Sequence, residues 1–69
     1  MKRSQEELES IVYSAQVRAK RNKLLAESDW TQVADAPVDQ AAWATYRQAL
    51  RDITEQDGFP FNVIYPEAP

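Results

Sequence analysis

Residues that break helices divide this chain more sharply than any other feature. No glycine or proline occurs from Glu6 to Glu27, one proline sits at position 37, and Gly58, Pro60, Pro66 and Pro69 then crowd the end. Proline lacks a backbone N–H and clashes with the preceding turn, so a helix interior excludes it. Two stretches are free to coil, and residues 58–69 are not. The chain therefore predicts an all-α fold: an antiparallel two-helix hairpin over residues 1–57, with helices at about 5–27 and 39–56, followed by an extended, proline-rich, aromatic C-terminal arm over 58–69. There is no internal repeat and no low-complexity tract.

The first helix has a start signal. Ser4-Gln-Glu-Glu7 has capping-box spacing, in which the Ser4 hydroxyl accepts from the Glu7 amide and the Glu7 side chain reaches back. Glu6, Glu7 and Glu9 occupy its first turns and Arg18, Lys20, Arg21 and Lys23 its last, which suits the helix dipole. Leu8, Ile11, Val12, Ala15, Ala19 and Ala26 recur on one face, whereas Tyr13, Val17 and Leu24 project from nearly the opposite side. A hairpin covers only one of these stripes. The second, Tyr13, Val17 and Leu24, is a candidate partner surface unless the connection or the tail folds over it.

Residues 28–39 form a connection with turn chemistry, Ser28-Asp29 at one end and Asp35-Ala-Pro37 near the other, and Trp30 lies inside it. A bulky aromatic there is expected to fold back as a plug between the helices, its indole N–H seeking an acceptor. Asp39 is a suitable N-cap for the second helix and Gly58 its stop. Trp43, Tyr46, Leu50 and Ile53 recur at intervals of three and four, and with Trp30 they are the expected core. Arg47, Arg51, Asp52 and Glu55 read as a solvated face. Phe59, Phe61, Val63, Ile64 and Tyr65 make the arm too apolar for a free coil, so it must lie across its own helices or another chain. These five join Tyr13, Val17 and Leu24 as candidate partner-binding residues.

Composition narrows the chemistry. A chain of 69 residues buries only roughly 60% of the surface its unfolded form exposes. It has no cysteine to cross-link it and no histidine to help hold a structural metal, so an oligomeric or partner-stabilised state is expected. A serine nucleophile would lack a histidine base, and the carboxylate pairs Glu6/Glu7 and Asp52/Glu55 fall on expected exposed faces. One glycine cannot build a phosphate-cradling loop. No enzyme activity, cofactor or metal is expected.

The net charge of −3 is unevenly spread. Residues 1–27 carry six Lys/Arg against four Asp/Glu, and residues 28–69 carry two against seven. The acidic second half argues against nucleic acid, which needs a continuous basic footprint. No apolar run reaches the roughly 20 residues that cross a bilayer, and Met1-Lys2-Arg3 leads into Ser-Gln-Glu-Glu rather than an apolar signal core. No membrane association and no exported form are expected.

The order of segments adds a resemblance. Arg18-x-x-Arg21-Asn22-x-Leu24-Leu25-Ala26-x-Ser28-Asp29-Trp30-Thr31-Gln32 is followed by Asp35-Ala36-Pro37, then by Ala42-Trp43-x-x-Tyr46-Arg47-Gln48-Ala49-Leu50-Arg51-Asp52-Ile53, then by Gly58-Phe59-Pro60 and a closing aromatic-Pro pair. Over roughly residues 15–66 this resembles the phage tail assembly chaperone family, whose members are often labelled tail fibre assembly proteins. The pattern there commonly ends a longer protein and closes on Trp-Pro, where this chain has a short helical lead-in and Tyr65-Pro66. The resemblance implies a phage tail or tail-fibre assembly factor that binds a fibre or other tail structural protein through its apolar helical surface and arm. The alternative is a permanent virion subunit clipping a fibre or baseplate joint. The expected location is the host cytoplasm during assembly, with retention in the virion tail under the alternative.

Overall fold

The computed structural model describes residues 4–69, so the Met1-Lys2-Arg3 start lies outside the described residues. The molecule is all-helical, with two helices and no strand among those residues. Helix α1 runs from Gln5 to Ser28. Ser4 stands before it in extended backbone, and its hydroxyl accepts the Glu7 N–H at 3.1 Å, the first half of the expected capping box. Glu6 and Glu7 occupy the first turn, but the last turn holds no cation. The basic run ends at Lys23, more than a turn short of Ser28, so compensation of the last turn does not account for it.

A 3₁₀ turn over Asp29–Gln32 reverses the chain. The Gln32 amide donates to the Gln40 carbonyl at 3.3 Å and the Gln40 amide donates to the Val33 carbonyl, closing the connection like a clasp. Helix α2 spans Gln40–Arg51, with the Asp39 carboxylate accepting the Ala42 N–H at 3.1 Å. The stretch expected to continue helical to about 56 tightens instead into a 3₁₀ turn over Asp52–Glu55.

Gly58 does not stop the helix through a left-handed conformation, because its φ is not positive. Its place is in the turn that follows, where Asn62 donates to the Gly58 carbonyl at 2.8 Å and the Phe59–Pro60 peptide is cis. A Cβ on Gly58 would collide with the Asn62 carbonyl oxygen. Glycine is needed there for close approach of backbone to backbone.

The core is one seam. Leu50 and Ile53 are fully buried, and Tyr46 and Val17 are 8% and 7% exposed. Two polar side chains join them, Thr31 at 0% and Ser28 at 3%. The Thr31 hydroxyl donates to the Ser28 carbonyl at 2.6 Å, and the Ser28 hydroxyl donates to the carbonyls of Leu24 and Leu25 at 2.9 and 3.2 Å. No buried polar side-chain atom among the described residues lacks a partner. The face of α1 that packs is Ser10, Ser14, Val17, Arg21, Leu24 and Ser28, each buried or half-buried. The more apolar stripe, Leu8, Ile11, Val12, Ala15, Ala19 and Ala26, is exposed along its whole length.

Candidate functional site

The joint between the helices is organised by Arg47. Its Nη1 donates to the Leu25 carbonyl and the Ser28 hydroxyl, each at 2.7 Å, and its Nη2 meets the Asp29 carboxylate at 2.7 Å. The guanidinium thus caps a carbonyl at the C-terminal end of α1, where four such groups lack helical partners. The Arg47 side chain is 14% exposed, against 67% for Asp29. Arg47 is consequently a staple of the packed joint and not part of a solvated face. Its position was legible in one respect: it follows Trp43 by four and precedes Leu50 by three, the spacing of the buried stripe.

Three aromatic rings line the same joint. Trp43 meets Tyr46 edge to face with centroids 5.5 Å apart, and Trp30 meets Trp43 at 6.3 Å and 53°. Trp30 is nevertheless 50% exposed. It lies against the outside of the joint, and the plug expected of it is supplied by its neighbour Thr31, which is small enough to enter the seam and carries its own hydrogen-bond acceptor nearby.

The arm folds back along α1. Phe61 packs against Tyr13 with centroids 5.1 Å apart, the Arg18 guanidinium lies over the Phe59 ring at 5.4 Å, and the Lys20 ammonium lies over the Tyr65 ring at 4.1 Å. Gln56 holds the returning strand of chain from the other side: its Oε1 accepts the Ile64 N–H and its Nε2 donates to the Ile64 carbonyl, both at 2.8 Å. Two members of the basic run therefore serve the arm. Sequence reasoning missed this, and the signal was present in the pairing of a basic run with an aromatic arm in one short chain.

The candidate partner-binding residues separate into two groups. Val17 is buried and Leu24 half-buried, so neither presents a free surface, and of the stripe that they share with Tyr13 only the Tyr13 end stays open. Phe59, Val63 and Tyr65 are half-buried where the arm lies. Tyr13, Phe61 and Ile64 remain open to solvent, Phe61 at 51% and Ile64 at 78%. The structure brings Tyr13 and Phe61 together as an exposed aromatic pair, with Ile64 farther along the arm. Of the expected core, Tyr46, Leu50 and Ile53 are buried, Trp43 is half-buried and Trp30 exposed. Among the described residues there is no cavity, no cluster of groups arranged to hold a metal ion, and no helix long and apolar enough to cross a membrane.

A model of the family described as phage tail assembly chaperone protein matches residues 14–69, well over half of the chain. No curated protein and no solved structure matches it.

Proposed function

The chain belongs to the phage tail assembly chaperone family, and from that membership we propose that it holds a tail structural protein, a tail-fibre protein foremost, before that protein is assembled. The reading is carried by the family match. It is supported by the apolar side chains that the arm leaves in water, Phe61 and Ile64, beside Tyr13 on α1. An exposed aromatic pair with a further exposed aliphatic side chain on the same arm offers apolar surface of the kind that partner proteins cover. The work is binding, without catalysis and without a cofactor, and it takes place in the host cytoplasm.

Affinity would come from covering this cluster with apolar surface of the unassembled partner, while the Gln56 clasp and the two cation–aromatic contacts keep the arm in place. A pre-positioned arm loses less conformational freedom on binding than a free one. The alternative, a permanent clip at a fibre or baseplate joint, uses the same surface but is never released.

Co-expression with each tail and fibre protein of the same phage tests the reading. One of them is expected to co-purify with the chain, and Phe61→Asp with Ile64→Asp is expected to abolish recovery while far-UV circular dichroism stays unchanged. Retention of binding by the double variant would refute this surface. Mass spectrometry of mature particles separates the two modes: absence of the chain from particles means release, and a fixed ratio to the fibre protein means a clip.

A further inference from the structure

The outer face of α1 is a second, independent surface. Leu8, Val12, Ala15, Ala19, Asn22 and Ala26 alternate at intervals of four and three, and every one of them is exposed, as is Ile11 beside them. They point away from the packed face, since Ser10, Ser14, Val17, Arg21, Leu24 and Ser28 hold the opposite side at the same intervals, and the arm is met by Tyr13, Arg18 and Lys20 outside the outer row. Leu8, Ile11 and Val12 are 48%, 45% and 53% exposed, a concentration of aliphatic surface that the hairpin leaves unused. Alternation of three and four is the spacing at which one helix seats another.

We propose that this face pairs with the same face of a second copy of the chain, with the two α1 helices antiparallel. Charge selects the occupant and its direction. Along the flanks of this face the acidic Glu9 stands near the start of the helix and the basic Arg18 and Lys23 farther on. Parallel copies would set Arg18 beside Lys23 of the second copy, like charge against like, whereas antiparallel copies set Glu9 beside Lys23. Size fits the same arrangement. A dyad near Val17 places Leu8 opposite Ala26, Val12 opposite Asn22, and Ala15 opposite Ala19, so large side chains meet smaller ones in the outer layers and small ones meet at the centre. On one flank Glu9 falls beside Lys23 of the second copy, and Gln16 falls beside its own counterpart. On the other flank Arg18 approaches its counterpart, and its guanidinium is already engaged over the Phe59 ring. The pairing is self-complementary and closes as a two-fold dimer.

The chain has no cysteine, so disulfide trapping reads the pairing without background from native thiols. Glu9→Cys and Lys23→Cys are prepared as full-length single variants in reduced form, and each alone and an equimolar mixture of the two are then oxidised in parallel. In the antiparallel dimer two Glu9 positions are about 21 Å apart along the axis, at roughly 1.5 Å per residue, and cannot be bridged. The mixture is expected to give a cross-linked heterodimer at least tenfold above either variant alone. Sedimentation of the unmodified chain is expected to give twice its 7.9 kDa mass, and Ala15→Glu to return it to one chain with helicity retained. Cross-linking of Glu9→Cys to itself would indicate parallel helices and overturn the proposal. So would sedimentation as a single chain up to millimolar concentration, including the case in which a tail protein occupies this face instead. Loss of fibre-protein capture by the arm variants bears on the arm alone and leaves this result standing.

Discussion

Arg47 shows why a charged residue in the middle of a helix can count for more than the aromatics around it. Its guanidinium satisfies the Leu25 carbonyl and the Ser28 hydroxyl inside the joint, and reaches Asp29 outside it. Arg47→Ala is expected to cost about 2–3 kcal/mol in urea unfolding, the range for charge-assisted hydrogen bonds whose loss leaves acceptors partly buried. Arg47→Lys is expected to recover little of it, because one ammonium cannot match a planar fork with three acceptors around it. Asp29→Asn is expected to cost under about 1 kcal/mol, since that carboxylate is 67% exposed and its ion pair is screened by water. An equal effect of Asp29→Asn and Arg47→Ala would show that the ion pair, not the capping of α1, carries the joint. Gly58 behaves by the same logic of local geometry. Gly58→Ala is expected to open the turn by setting a methyl against the Asn62 carbonyl oxygen, and faster hydrogen exchange at the Ile64 amide would report it.

At the scale of elements, the two faces of α1 make the sharpest comparison. Val17→Asp places an unpaired carboxylate in the buried seam and is expected to cost about 3 kcal/mol or more, whereas Val12→Asp on the open face is expected to change the stability of a single chain by under about 0.5 kcal/mol. Thermal unfolding of both variants at low concentration checks the difference, and similar losses would mean that the packed face has been misassigned. This is also where the sequence was least legible. Hydropathy favours the stripe of Leu8, Ile11 and Val12 as the inner one, but the inner face is built from Ser10, Ser14 and Ser28 around Val17, with the serine at the joint donating to its own helix and accepting from Arg47. Periodicity identified two stripes and could not rank them, because the ranking depends on polar groups finding partners 19 and more residues away. The starts of both helices were legible for the opposite reason: Ser4 and Asp39 each act on an amide three residues on. The seam of Tyr46, Leu50 and Ile53 followed from spacing on α2, while Trp30 did not, since residue size alone does not say on which side of a turn a ring lies.

The whole molecule measures 53 × 19 × 13 Å, and its thinnest dimension is close to the width of one helix with its side chains, about 10–12 Å. Two helices and an arm make a single layer, so among the described residues none is shielded from both sides except along the seam where α1, α2 and the two 3₁₀ turns converge. Among the described residues, Val17, Tyr46, Leu50 and Ile53 form the buried apolar core there. Stability of a chain this short is expected at roughly 3–10 kcal/mol if it follows the usual 0.05–0.15 per residue. Truncating a fully buried leucine costs about 2–5 kcal/mol. Leu50→Ala should therefore consume much or all of the margin and unfold the hairpin and arm together, because the seam that it empties holds every element. The expected outcome is a collapse of far-UV helicity at 25 °C in a dilute single chain, partly restored as concentration rises, because any assembly that binds only the folded form draws the equilibrium back by mass action. A loss of helicity that no increase in concentration reverses would mean that α1 gains nothing from a neighbour on its outer face. Unfolding of α2 with α1 intact would show that the long helix stands without the seam. Either result would break the link between a one-layer architecture and dependence on association.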